Sequence, residues 1–327
     1  MTFTNLATQN LLSPMVLFFV VGLFAAFAKS DLTVPEPVAK LLSLYLLISI
    51  GLRGGTEVTH HGLTAQLAGT IGAGILLSFA MPLLAYALLK RTSRLSAVDA
   101  AAVAGHYGSI SAVTFAAVTG ALNQLSVPFE GYMVAVAAAM ETPAIVSALH
   151  LARPHRDRSA TANGNDVWRE VLLNGSVVAL LGAFVVGMVS GQKGLATVKP
   201  FFVDLFPGFL CLFLLDMGLV AGRGLSLGRK YLTASLGVFA VMMPLIGASI
   251  AAALSFALGL SPGGTAVLMT LAASASYIAV PAALRLALPE ANPAISLTMS
   301  LGVTFPFNLL LGIPLYIAVA NAITKSH

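Results

Sequence analysis

Charge is what this chain has least of. Only 9% of its 327 residues are Asp, Glu, Lys or Arg, against roughly 25% in an ordinary soluble domain. With 58% hydrophobic residues there is too little polar surface to clothe a soluble globule. The composition therefore specifies a polytopic integral membrane protein with loops too short to hold a soluble domain. A single cysteine, Cys211, lies inside an apolar run; this excludes an intrachain disulfide and leaves the redox compartment open. Walker loop, dinucleotide fingerprint, nucleophile elbow and zinc motif are all missing, so nucleotide hydrolysis, hydride transfer and metal-assisted hydrolysis have no foothold. Basic residues are missing from Met1 to Pro14, whereas a secretory signal peptide carries them. Ala26-Phe27-Ala28 looks like a cleavage site, but the first apolar segment is expected to stay in the fold.

What is present is a set of apolar runs near the roughly 20 residues needed to span a bilayer. The first half supplies 12–28, 38–52, 63–89, 96–121 and 131–151, and the second 171–191, 200–222, 231–258, 261–287 and 293–322. The halves align in order. Gly22 falls opposite Gly187, Pro37 opposite Pro200, Gly51-Leu52 opposite Gly218-Leu219 and Pro82 opposite Pro244. Ser109-x-Ser111 falls opposite Ser274-x-Ser276 and Pro143 opposite Pro306, with all offsets between 162 and 167 residues. One such match means nothing, because glycine and proline are common in membrane helices. Six in order argue for an internal repeat.

Each repeat holds five spans, and an odd number turns the second copy upside down. The charges are consistent with that. With the amino terminus outside, cytoplasmic loops carry Lys29, Lys40, Lys90, Arg91, Arg94, Arg153, Arg156, Arg158, Arg169, Arg223, Arg229, Lys230 and Arg285. The other side carries only Arg53, Lys193, Lys199 and Lys325. Thirteen against four obeys the positive-inside rule, and both termini are expected to face outward. This topology also accounts for most of the formal charge of +5. A polar, basic connector at 153–170 joins the repeats on the cytoplasmic side, as a solvated tether or a docking segment for a cytosolic partner.

Two stretches concentrate helix-breaking and polar residues: Gly105-His106-Tyr107-Gly108-Ser109-Ile110-Ser111 and Ala273-Ser274-Ala275-Ser276-Tyr277-Ile278-Ala279-Val280-Pro281. Broken backbone survives in a bilayer only where protein or a polar cavity satisfies it. A matched pair of broken helices marks the binding site of a secondary transporter. Each restart exposes helix N–H groups that favour an anion, and serine can both cap the helix and bond a ligand oxygen. No Lys or Arg lies in either broken segment, which suits a small, singly charged oxyanion. Packing or interhelical hydrogen bonding is the plainer use of Ser-x-Ser, but symmetry of the two copies favours a binding role.

Two acids, Glu141 and Asp216, lie within apolar spans, where an ionisable residue is costly. Glu141 has Thr304 as its repeat counterpart, and Thr142, Thr304 and Asn308 add neutral oxygens at equivalent depth. Such a set suits Na⁺, a hard cation that prefers oxygen; a protonated, hydrogen-bonded helix contact is the alternative for Glu141. Asp216 reads equally as an interfacial residue. His106 is a cap, a packing residue or a ligand contact. Asp99 opens the fourth span and favours that helix N-terminus. His60-His61 are read as loop residues, and Trp168 with Phe201-Phe202 as interfacial anchors.

The broken-helix motifs, together with Met140-Glu141-Thr142-Pro143-Ala144-Ile145, resemble the sodium-dependent bicarbonate transporter family of cyanobacteria and other bacteria. The resemblance runs over essentially all ten spans. It implies an all-α polytopic membrane protein of ten transmembrane helices, built as two inverted five-helix repeats with crossed broken helices, as in bile-acid symporters and sodium/proton antiporters. It implies a gate domain from 1–61 and 171–226 and a mobile core from 62–152 and 227–327. By matching positions, bicarbonate would sit among Gly108, Ser109, Ile110, Ser111, Ala275, Ser276 and Tyr277. Na⁺, as coupling ion, is assigned to Glu141, Thr142, Thr304 and Asn308, with no transition metal and no other cofactor. The implied activity is Na⁺-coupled bicarbonate uptake by an elevator movement of the core, rather than enzymatic; uptake of another small anion, such as a short carboxylate, is the alternative. Further implications are a bacterial inner-membrane location among lipid, a homotrimer, no nucleic-acid partner, and a cytosolic PII-like regulatory protein as partner.

Overall fold

The computed structural model of the chain describes residues 3–61, 64–152, 175–277, 280–281, 283–284 and 288–324. The connector at 153–170 with Trp168, the motif positions 278, 279 and 282, and the basic residues Arg285 and Lys325 lie outside the described residues. Every regular element among those described is helical.

The first apolar run is expected from residue 12, yet a short helix precedes it. Helices α1 (Phe3–Leu11) and α2 (Pro14–Phe27) meet at 60°. Ser13 makes the corner: its Oγ accepts from Val16 N at 3.3 Å, and Pro14 follows at the first helical position, where a missing N–H costs nothing. Next come α3 (Glu36–His61) and α4 (Ala65–Thr92). The backbone of α3 continues through His60-His61, where a loop was expected, because no helix breaker intervenes before Gly62 except the glycines at 54 and 55, which a neighbouring helix covers.

The fourth expected run is two helices, α5 (Ala97–His106) and α6 (Ala112–Gln124). The fifth is α7 (Met133–Ala139) and α8 (Glu141–Ala152), which meet at Met140. Proline explains that joint. Pro143 has no N–H to donate, and Ser78 of α4 inserts its hydroxyl beside it, accepting from Ala144 N at 3.1 Å and donating to Met140 O at 2.6 Å. One side chain thus replaces a missing turn of the ladder.

In the second half, α9 (Gly175–Lys199) runs through a π-helical turn at Pro200–Asp204 into α10 (Phe206–Gly228). Then follow α11 (Ala234–Leu258), α12 (Pro262–Ala273), α13 (Pro293–Met299) and α14 (Ile313–Thr324). The stretch between α13 and α14 holds π-helical turns at Ser300–Thr304 and Asn308–Gly312, on either side of Pro306. Pro143 and Pro306, paired by the repeat alignment, therefore both sit where the α-helical pattern fails.

Six helical stretches among the described residues are long and apolar enough to cross a membrane, or seven with the bent α1–α2 pair. The 97–124 and 262–284 regions miss that test because breaks divide them into shorter pieces. The stretch Val177–Ser226 passes as one, though at 50 residues it would extend roughly 75 Å if straight, more than twice a bilayer core. It is not straight. Gly191 leaves the helix with φ 58° and ψ −162°, a conformation that suits glycine. Before it, Leu180 and then Phe184 and Met188 pass Gly51 and Gly55 of α3 in parallel. Beyond it, Phe209 stacks on Tyr45 near the start of α3, with ring centroids 4.0 Å apart. The chain has doubled back.

Phe201 and Phe202 belong to that turn. Both rings contact Tyr45 and its hydroxyl donates to Phe201 O, so the pair holds the turn against α3.

The two most extensive helix pairings are α3 with α9 and α2 with α10. Both depend on bare backbone. A Cβ on Gly22 would strike Leu215 O, one on Gly218 would strike Phe19 O, and one on Gly187 would strike Leu52 O. Small residues let membrane helices approach to backbone contact, where dispersion supplies the association. Gly22 and Gly187 are alignment partners, as are Gly51 and Gly218. The contacts cross between the pairs, first helix of each half against second helix of the other.

Candidate functional site

The two broken segments meet. Ser276 N donates to His106 O at 2.8 Å, and Ser111 N donates to Ser274 Oγ at 3.0 Å. His106 Nδ1 lies 2.5 Å from Ser276 O. These contacts use chain ends that each break releases: His106 ends α5, Ser111 begins α6, and Ser274 and Ser276 follow α12. Around them the pieces pack crosswise. α6 lies against α12, while Ala101, Ala102, Ile145 and Ala148 pack with Val280, Ala283 and Leu284. The alanines of α5 are what permit that close approach.

Local capping explains where each helix restarts. Ser111 Oγ accepts from Thr114 N at 3.2 Å as the N-cap of α6. Ser276 Oγ accepts from Val280 N, four residues on rather than three, at 3.4 Å. In α6 the first N–H groups, on Ala112 and Val113, have no acceptor within their own helix. Gly108 is held against Pro82 of α4, where a Cβ would overlap the proline ring and come within 2.8 Å of Ser78 O. Pro82 lacks the N–H that would otherwise take that carbonyl, so the break after α5 packs where the ladder of α4 lacks a bond.

All of this is buried. Ser109 is 1% exposed, Ser111 4%, Ser276 2% and Tyr277 9%, so the crossing is occluded in this conformation. Six buried side-chain polar atoms among the described residues lack a hydrogen-bond partner, and three of them are Ser109 Oγ, Tyr277 Oη and Glu141 Oε2. Tyr277 Oη faces Ser111 without reaching hydrogen-bonding geometry. Unpaired polar atoms are expensive in so apolar a setting, and half of those six lie on residues singled out from sequence.

The four expected cation residues are not equally connected. Thr304 reaches the first break through Tyr107, whose Oη is 2.7 Å from Thr304 Oγ1, and Thr304 also donates to Ala240 O at 2.7 Å. Asn308 reaches the second: its Nδ2 donates to Ala273 O at 2.8 Å, and its Oδ1 accepts from Tyr316 Oη at 2.9 Å. Glu141 begins α8 and is 6% exposed, with half-buried Thr142 beside it. No hydrogen bond joins either of them to Thr304 or Asn308 among the described residues. Asp216 is buried in the interior of α10, at 5% exposed, rather than at a helix end.

Sequence reasoning missed several participants. Tyr107, Ser274 and Tyr316 bond into the crossing; the first two lay inside the motifs, whereas Tyr316 had no local signal. It also missed two clasps at the outer ends of the broken helices. Ser96 and Asp99 cap α5, and Asp99 Oδ1 accepts from Asn292 N at 2.8 Å. Ser261 caps α12, and Glu130 takes both its N–H at 2.8 Å and its hydroxyl at 2.9 Å. Ser96 and Ser261 are repeat partners, as are Glu130 and Asn292. Where the first copy has Asp99, the second has Gly264, whose Cβ would fall on the Glu130 carboxylate. The acid has changed sides of the same contact. Ser96-x-x-Asp99 was legible as a capping box; Glu130 was not.

No individually curated protein matches the sequence. A family model described as the Na⁺-dependent bicarbonate transporter superfamily matches residues 14–321. That span takes in both broken segments, both clasps and every helix from α2 to α13, with most of α14. The chain belongs to the Na⁺-dependent bicarbonate transporter superfamily.

Proposed function

We propose that this membrane protein, a Na⁺-coupled transporter by family, takes up bicarbonate at the crossing of its broken helices. The carrying observation is that the two breaks clasp each other while Ser109 Oγ and Tyr277 Oη remain buried and unpaired. Bicarbonate would accept from these hydroxyls, from Ser111, Ser276 and the free N–H groups of α6. Gly108, Ile110 and Ala275 supply backbone that can approach the anion closely. Na⁺ would be held by Glu141, Thr142, Thr304 and Asn308; it would neutralise the one buried carboxylate of that set and steady the two breaks, the first contacted by Thr304 and the second by Asn308.

The accompanying architecture is ten spans in two inverted repeats. It adds to the six continuous stretches the bent α1–α2 pair, the two broken spans and a second crossing for the doubled-back stretch. Contacts at the helix ends agree with that topology. Asp99 meets Asn292 on what would be the cytoplasmic side, and Arg223 donates to Leu32 O there; Glu130 meets Ser261, and Gln66 meets Leu258 O, on the other. The parallel pairing of α2 with α10 and α3 with α9 also requires an odd number of intervening crossings between partners, and the ten-span order gives five and three. These four helices, with α1, would form the gate and the rest the core. Because the site is occluded, the core must move against the gate to open it, as an elevator. A bacterial inner-membrane location, a homotrimer and a cytosolic PII-like partner complete the proposal.

Uptake of labelled bicarbonate into proteoliposomes tests it. An inward Na⁺ gradient should drive accumulation, and equal uptake in K⁺ would refute Na⁺ coupling.

A further inference from the structure

A cavity of about 240 Å³ lies beside α3 and α6, well away from the crossing. Arg53, Gly54 and Glu57 of α3 form one wall and Thr119 and Asn123 of α6 another. A neighbouring cavity of about 380 Å³ shares Glu57 and continues to Glu130 and Thr64, near the helix ends. Thr119 stands eight residues along α6 from Ser111, about 12 Å up the same helix. The first cavity thus reaches the outer end of the broken helix at Thr119 and Asn123, and the second lies beside it toward Thr64 and Ser261.

Arg53 is unusual in its position: it lies within the apolar stretch Glu36–Val58, half-buried, rather than in a loop. A guanidinium carries five N–H donors, and this one has a single long hydrogen bond, Nη2 to Asn123 Oδ1 at 3.4 Å. Glu57, one turn further on, acts on it electrostatically. The Glu130 carboxylate is already engaged by the N-terminus of α12. The wall thus offers a fork of donors beside a carboxylate acceptor. An anion with only acceptor oxygens, such as nitrate or formate, gains from the arginine and is repelled by the glutamate. Hydrogencarbonate differs, because it carries an O–H as well as charged oxygens. Its oxygens can accept from Arg53 and its O–H can donate to Glu57, which keeps acceptor capacity beyond any contact it already makes, since a carboxylate has about four lone-pair sites.

We infer that this seam is an entry port with its own binding site for bicarbonate, in which Arg53 captures the anion and Glu57 selects it by its proton. The inference rests on the bicarbonate-transport reading. Asn123 belongs to the proposed core and Arg53 to the proposed gate, so the port is remade whenever the core moves.

The test is Na⁺-driven bicarbonate uptake in proteoliposomes by Arg53→Gln, Arg53→Lys and Glu57→Gln, with formate as competitor. Arg53→Gln should raise KM for bicarbonate roughly 3–10-fold, the loss of one nearby charge in a wet cleft, with the Na⁺ dependence unchanged. Arg53→Lys should fall between it and wild type, and Glu57→Gln should let formate compete better. An unchanged KM in Arg53→Gln, or unchanged formate competition in Glu57→Gln, overturns the port while leaving transport intact. A wild type without Na⁺-driven uptake would instead remove the reading beneath it. Should Arg53→Gln fail to fold, Asn123→Cys decides, since the native Cys211 is buried. Bicarbonate must slow its modification by an anionic thiol reagent, and absence of protection overturns the port.

Discussion

Ser111 serves two purposes at the crossing: its hydroxyl caps α6 through Thr114 N, and its own N–H is spent on Ser274. Ser111→Ala should therefore cost about 1 kcal/mol of stability from the lost cap and weaken bicarbonate binding several-fold, without unfolding the protein. Isothermal titration beside a thermal melt separates the two effects. Ser276→Ala should behave likewise, more weakly in stability, because its cap contact is longer. Glu141→Gln keeps the shape of the side chain and removes the charge. It should move the Na⁺ activation of uptake to higher concentration while leaving the fold intact; an unshifted Na⁺ curve would remove Glu141 from the cation site.

At the scale of elements, backbone contact between α2 and α10 makes a sharp demand. Gly22→Val and Gly218→Val each place a side chain on a carbonyl of the opposing helix, and overpacking of this kind costs about 1–3 kcal/mol or more. Gly237→Ala, at a glycine with open space around it, should leave stability nearly unchanged in the same melting assay. Legibility followed the range of the signal. The two Ser-x-Ser segments and the prolines at 143 and 306 are local breakers that lie at joints, because a break is encoded where it occurs, whereas the prolines at 82 and 244 sit inside helices that continue. Glycine spacing was readable as a repeat but not as a contact, since the partners of Gly22 lie in the other half of the chain. The return of α10 against α3 depends on one glycine conformation at 191, which composition does not distinguish from any other glycine. Glu130 was invisible for the same reason: its partner Ser261 is 131 residues away, and nothing near 130 announces an N-cap elsewhere.

For the whole molecule, the proposed topology makes a claim independent of chemistry. Ten crossings leave both termini on the same side, and the charge distribution selects the outside. Thiol labelling of single cysteines placed near residues 5 and 322, in intact cells with an impermeant reagent, should modify both; labelling of only one would require an odd number of crossings. The pairings described above explain why such a molecule could have a rigid core and still move. Its broken helices are tied to each other at the crossing and, at their outer ends, to Asn292 and Glu130, while Gly22, Gly218 and Gly187 join α2 to α10 and α3 to α9. The central claim is that the crossing binds Na⁺ and bicarbonate as one coupled site. Coupling of two ligands is reciprocal. The decisive measurement is the affinity of the purified protein for bicarbonate at several Na⁺ concentrations, and for Na⁺ at several bicarbonate concentrations. The account predicts that each ligand tightens the other by the same factor, and that Glu141→Gln abolishes this; bicarbonate affinity independent of Na⁺ would contradict it.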